Sequence, residues 1–124
     1  MNELRYKELD DFDEFKVDEI LVNATLEELL ELPLAAGLYW ASAKRAQKVC
    51  LALITHENAN VRANAVMGLG HIAYTKRELD KRLIKPYILH EFRTNTEFRD
   101  SIRCSIEEIN LCMGWNLAKK ELEK

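Results

Sequence analysis

With 124 residues, 48% of them apolar and 31% charged, the chain has room for one core and not for two, in a composition ordinary for a globular domain. Two prolines and four glycines are too few for an all-β design, which needs a turn signal roughly every ten residues. The net charge of −3 is segregated: residues 1–31 hold 11 acids and 3 bases, residues 32–124 hold 10 and 15, which excludes a nucleic-acid binder with a uniformly basic face.

No apolar run approaches the ~18 residues of a membrane span. The acidic, polar start does not read as a secretory leader, so a cytoplasmic location is the expectation. Cys50, Cys104 and Cys112 make an odd count with no Cys-x-x-Cys spacing. They are expected to be buried thiols in a reducing compartment.

In chain order, residues 1–41 form an acidic region expected to be helical. Its centre is "DDFDEF", Asp10, Asp11, Phe12, Asp13, Glu14 and Phe15. Carboxylates around two aromatic rings combine long-range attraction for a basic partner with apolar anchors for the bound state. The alternative is that both rings cap the open end of a helical array while the acids face water. Thr25 and Glu28 are spaced as a capping box for "LEELLEL", which Pro33 is expected to stop, with "LAAGLYW" following as a second run.

Ser42 is placed to cap the next helix, whose Ala46, Val49, Cys50, Leu53 and Ile54 recur at helical spacing. Asn58 or Asn60 caps the one after, which carries Val61, Ala65, Leu69 and Ile72. Thr75 with Glu78, and Thr94 with Glu97, read as two further capping boxes. They would open helices holding Leu83, Ile84, Tyr87, Ile88 and Phe92, then Phe98, Ile102, Ile106, Ile109 and Met113. Gly114 is a candidate C-terminal cap, Trp115 is expected to fold back onto the core, and residues 116–124 to fray. Connections this short predict antiparallel hairpins between sequential helices.

An internal repeat organises these helices. At a shift of 37 residues Asn58 meets Asn95, Val61 meets Phe98, Arg62 meets Arg99, Ala65 meets Ile102, Leu69 meets Ile106, and Ile72 meets Ile109. Each pair keeps its chemical class. A helical pair of this length cannot bury its apolar face alone, so neighbouring units must cover it. The stretches "NANVRANAVMGLGHIA" and "NTEFRDSIRCSIEEIN" resemble second helices of the HEAT-repeat family, with Pro86 in "LIKPYILHEF" where that family often bends its first helix. The resemblance spans roughly residues 42–113. It implies an all-α fold, a HEAT-like α-solenoid of antiparallel hairpins, with 42–115 forming two hairpins of a single 1–124 domain.

The stretch from His56 to Leu117 also looks like small HEAT-containing immunity proteins of bacterial toxin competition systems. That likeness implies non-catalytic binding and neutralisation of a toxin domain, here one with a basic surface, such as a nuclease, without direct contact to nucleic acid or membrane. A general HEAT adaptor is the alternative. A further alternative is a metal-dependent hydroxylase built on His56-Glu57 and His90-Glu91. Those pairs lie 34 residues apart rather than 37, so they fall at different places in their units and do not form a symmetric metal site. No His-Glu-x-x-His, phosphate loop or nucleophile elbow occurs. No cofactor, metal or catalytic residue is therefore expected.

Arg62 and Arg99 share a repeat position and are expected to lock the stacking register by reaching groups in neighbouring units, rather than to bind an anion. Gly68 and Gly70 each cost about 1 kcal/mol in a helix interior, which points to a crowded helix crossing rather than a groove against bare backbone. If Val61, Ala65, Leu69 and Ile72 face the core, Asn60, Asn64, Met67, His71 and Tyr74 face away. Their repeat equivalents are Glu97, Ser101, Cys104, Glu108 and Leu111. This mixed polar and apolar row is the candidate partner-binding surface.

Overall fold

The computed structural model describes residue 19 and residues 21–123; among them there are helices and turns and no strand. Six helices follow Thr25: α1 (Leu26–Tyr39), α2 (Ala43–Leu53), α3 (Ala59–Lys76), α4 (Lys81–Thr94), α5 (Arg99–Met113) and α6 (Lys119–Leu122). A further helical stretch ends at Asn23, with Leu21 and Ala24 packed on the core.

The capping box that opens α1 forms as expected. The Thr25 hydroxyl accepts from the Glu28 N–H, and the Glu28 carboxylate accepts from the Thr25 N–H, each at 3.2 Å. Pro33 does not stop the helix: the two expected runs are one helix of 14 residues. Proline removes the N–H that would reach Leu29 and costs about 3 kcal/mol in a helix interior. Here Leu29, Leu32, Ala35 and Ala36 are buried on both sides of it, and Pro33 itself is buried. Their burial, at roughly 25 cal/mol per Å² of apolar surface, outweighs the local penalty.

Ser42 caps α2 by accepting from the Arg45 N–H at 3.1 Å. All five residues assigned to its apolar stripe are buried. Asn58, not Asn60, caps α3, its side-chain oxygen accepting from the N–H groups of Asn60 and Val61 at 2.9 and 3.1 Å.

The other two expected capping boxes do not form. Thr75 lies inside α3, its hydroxyl 2.8 Å from the carbonyls of both Gly37 and His71. The α4 cap is Asp80, which accepts from the Leu83 N–H, while the Asp80 N–H donates to the buried Gln47 at 2.8 Å. Thr94 closes α4 and donates to the His90 carbonyl four residues back. In both threonines a backbone carbonyl one turn earlier competes successfully for the hydroxyl. Pro86 lies within α4, exposed, and the helix continues through it.

Gly114 takes the left-handed conformation (φ 69°) that ends α5, and its N–H donates to the Asn110 carbonyl. The tail, expected to fray, carries the short helix α6 and hydrogen bonds back to α5. Asn110 holds Leu117 through paired hydrogen bonds of 3.1 and 2.8 Å, and Arg103 donates to the Leu122 carbonyl. Trp115 is partly buried against the core, with the Lys81 ammonium 5.4 Å from its ring centroid.

α3 is the central element, packed against α1, α2 and α5 and more lightly against α4. Contacts between alternate helices fix their direction. The Asn64 amide donates to the Leu30 carbonyl and the Thr75 hydroxyl reaches Gly37, so residue numbers rise together along α1 and α3. Asn95 reaches Ala59, Ser105 lies beside Gly70, and Arg77 reaches Cys112. Thus α1, α3 and α5 lie side by side and parallel. Between α2 and α3 the order reverses: Gln47 is near Asp80, Cys50 near Gly68, and His56 bonds Arg62. That reversal is the antiparallel pairing expected of sequential helices. The repeat pairs Ala65 and Ile102, Leu69 and Ile106, and Ile72 and Ile109 are all fully buried.

Candidate partner-binding groove

Between α3 and α5 runs a groove of about 340 Å³, lined by Met67, Gly70 and His71 on one side and Ser101, Cys104, Ser105 and Glu108 on the other. Helical spacing of three and four residues puts each set on one stripe, and the parallel packing of the two helices brings the stripes face to face. Five residues of the expected row meet here: Met67, His71, Ser101, Cys104 and Glu108. Tyr74 and Leu111, 62% and 83% exposed, continue the two stripes one turn further. They are themselves a repeat length apart.

Gly70 corrects an expectation. A Cβ there would sit 3.6 Å from the Ser105 carbonyl oxygen, an ordinary contact, so its bare backbone lines the groove. Gly68 behaves as expected of a crowded crossing. Its Cβ would come within 2.5 Å of the Pro33 carbonyl oxygen and 2.7 Å of the Cys50 sulfur.

The groove has a distinct electrostatic character. Desolvation holds the His71 imidazole below its ordinary pKa, and the nearby Glu108 carboxylate offsets part of that effect. His71 is therefore biased to its neutral form, able to donate and accept. Cys104 is exposed and Cys112 half-buried, contrary to the expectation that all three thiols are buried. Only Cys50 is, with its sulfur 3.9 Å from the Pro33 carbonyl; burial pushes its thiol pKa far up, which makes it unreactive.

Other expected site residues lie elsewhere. Asn64 is half-buried and tied to the Leu30 carbonyl at 2.8 Å, so it joins α1 to α3 instead of facing a partner. Asn60, half-buried in the first turn of α3, and Glu97, exposed before α5, do not line the groove. Asp10, Asp11, Phe12, Asp13, Glu14 and Phe15 lie outside the described residues.

Arg62 bonds the buried Glu91 through Nε at 2.9 Å and the carbonyls of His56 and Glu57 at 2.8 and 2.9 Å. It thereby joins α3 to α4 and to the α2–α3 turn. Arg99 does something different at the equivalent position: its guanidinium lies 4.5 Å from the Phe92 ring centroid, with Arg103 at 5.4 Å. Sequence reasoning missed Glu91, Asn95 and Gln47 as buried polar residues. Asn95 donates to the Ala59 carbonyl and to Glu91 at 2.9 and 3.2 Å. The one signal in the sequence was the recurrence of Asn58 at Asn95.

The two His-Glu pairs come closer than their spacing implied. His56, Glu57, His90 and Glu91 line one hollow of about 330 Å³ together with Arg62 and Tyr87. Two of the four already have other partners. Glu91 is held by Arg62 and Asn95, and Nδ1 of His56 accepts from the Asn58 N–H at 3.0 Å. Among the described residues no three His, Cys, Asp or Glu side chains are grouped to hold a metal ion. No described helix is long and apolar enough to cross a membrane. Comparison with known proteins returns no match among family models, curated proteins or solved structures.

Proposed function

We propose that the chain is a HEAT-like α-solenoid that acts as a non-catalytic protein-binding module, specifically an immunity protein that binds and neutralises a toxin domain. The α3–α5 groove carries this reading. Residues at equivalent positions of two successive units converge there, and exposed Tyr74 and Leu111 extend the same surface. An exposed apolar residue flanked by polar ones is the composition of a protein interface, where aromatic and aliphatic anchors supply most of the affinity. The solenoid reading is supported by α1, α3 and α5 running parallel, as second helices of stacked units do. The immunity reading is supported by the sequence resemblance of residues 56–117, and the exposed acid Glu97 and half-buried Glu108 favour a partner with a basic surface.

The test uses the full chain and the toxin domain encoded beside its gene. Titration calorimetry should detect a stoichiometric complex, and co-expression should rescue growth. Met67→Lys with Cys104→Lys places two cations in the groove at positions that are not buried. With helix content and melting temperature retained, this variant should bind at least about tenfold more weakly, the effect of losing one strong anchor. Undiminished affinity in the variant, or no complex with such a domain, would overturn the proposal.

A further inference from the structure

Along the parallel helices α1, α3 and α5, cations and carboxylates point to different sides. Arg62 turns to the buried Glu91 of α4, and Arg99 and Arg103 lie against the Phe92 ring of the same helix. Lys76 continues the buried stripe of Leu69 and Ile72, away from the α3–α5 groove. α1 carries no cation. The side that holds the groove is therefore acidic. Glu108 lines the groove itself, Glu97 stands exposed just before α5, and Glu27 is exposed in the first turn of α1, on the stripe of Leu38.

The C-terminal ends of the same helices are apolar. Leu38, 39% exposed, joins Tyr74 and Leu111, so that each helix contributes one large exposed apolar side chain. Packing sets the three at one end of the face. Gly37, just before Leu38, accepts the Thr75 hydroxyl on its carbonyl, and Arg77 donates to the carbonyl of Cys112, just after Leu111. The face thus has a polarity: acidic from the N-terminal ends to the groove, apolar at the C-terminal ends. Exposed apolar side chains gathered in this way mark an interaction surface.

We propose that this face takes one basic segment of a protein partner, lying along α3. Its apolar side chains rest on Leu38, Tyr74 and Leu111, and its lysines or arginines run back toward Glu108, Glu27 and Glu97. The proposal rests on the protein-binding reading above and adds the partner's chemistry, its orientation and the contribution of α1. From Asn60 to Tyr74, α3 rises about 21 Å, which a partner helix of about 14 residues spans. A second copy of the chain does not fit. Faces paired in parallel set carboxylate against carboxylate, and faces paired antiparallel bury carboxylates on apolar side chains. Nucleic acid and anionic membrane surfaces are repelled by the same carboxylates. The two ends divide the work: the acidic end speeds encounter, and the apolar row slows release.

Two peptides test it on the full chain: a helical one of about 16 residues with leucines in its last turn and lysines before them, and its counterpart with glutamates for lysines. A nitroxide amino acid built into the leucine end should broaden the amide signals of Tyr74 and Leu111 and spare those of Asn60 and Ser101. Moved to the lysine end, it should do the reverse. The glutamate peptide should bind at least about tenfold more weakly. Tyr74→Ser with Leu111→Ser changes only exposed positions and should weaken the lysine peptide about fivefold or more at any salt concentration. Glu27→Gln with Glu97→Gln should weaken it about twofold at low salt and leave it unchanged at about 0.5 M salt. No binding of the lysine peptide, equal binding of the glutamate peptide, broadening that ignores the position of the label, or affinity unmoved by the Tyr74 and Leu111 changes would each overturn the proposal. The immunity reading falls separately, on the lack of a complex with the toxin domain. A toxin complex that Leu38→Ser, Tyr74→Ser and Leu111→Ser together fail to weaken would sink this proposal and leave that reading standing.

Discussion

Gly68 and Gly70 stand two residues apart in α3 and meet different demands. At Gly68 the obstacle is the Pro33 backbone, whose carbonyl carbon would lie 2.9 Å from an added Cβ, and a helix backbone does not yield. Gly68→Ala should lower stability by about 2–3 kcal/mol, as overpacking does. Gly70→Ala meets only ordinary contacts and should raise stability by about 0.5–1 kcal/mol, because alanine has the better helix propensity. Urea denaturation of the two variants checks this; matching midpoints would contradict the close α1–α3 crossing. His71 gives a pH signature of its own. Its folded pKa lies below the unfolded value of about 6.5, so the unfolded chain binds the proton more readily. The stabilisation is complete above pH ~6.5 and is lost as pH falls through the folded pKa. Stability of the native sequence should therefore drop more between pH 7 and 5 than that of His71→Gln, as read from urea midpoints across the range.

At the scale of elements, helix ends are decided by competition among nearby partners. Thr25, Thr75 and Thr94 each precede a glutamate by three residues, yet only Thr25 builds a capping box. The other two hydroxyls find a carbonyl one turn back, and Thr75 also has the α1 backbone beside it. Periodicity alone does not show which partner lies closer. The same holds for Pro33, whose helix persists because the core needs both of its halves. The joint between α3 and α4 rests on Arg62 and the buried Glu91, whose lone pairs also take the Asn95 amide. Arg62→Ala should cost about 2–4 kcal/mol, since it strands a buried carboxylate while Arg62 itself retains some solvent. Arg62→Met combined with Glu91→Leu should recover most of that loss in thermal or urea unfolding. A double variant as unstable as the single one would mean that packing, not charge, holds the joint.

For the whole molecule, the recurrence at 37 residues has a spatial counterpart in the parallel run of α3 and α5, with α1 parallel on the other side of α3. Equivalent aliphatic residues enter the core from α3 and α5, while the stripes beside them form the groove. Repetition does not extend to every position. Arg62 is bonded to a carboxylate and Arg99 lies on an aromatic ring, because the neighbour available to each differs: α4 follows α3, whereas α5 is followed only by the short α6. Charge is distributed unevenly among the helices as well: α1 carries Glu27, Glu28 and Glu31 and no cation, whereas α2 and α3 carry cations and no carboxylate.

Helix content, most of the buried aliphatic stripe, the caps at Thr25, Ser42, Asn58 and Gly114, and the row containing Met67, His71, Ser101, Cys104 and Glu108 were legible in the amino-acid order, because each follows from spacing along one helix. The continuity of α1 through Pro33, the separate roles of Gly68 and Gly70, the burial of Glu91 and Asn95, and the turning of Asn64 toward α1 were decided by tertiary structure. Each depends on which backbone or side chain from another helix arrives at that position. Local periodicity carries the direction a side chain faces, and only packing supplies what it meets there.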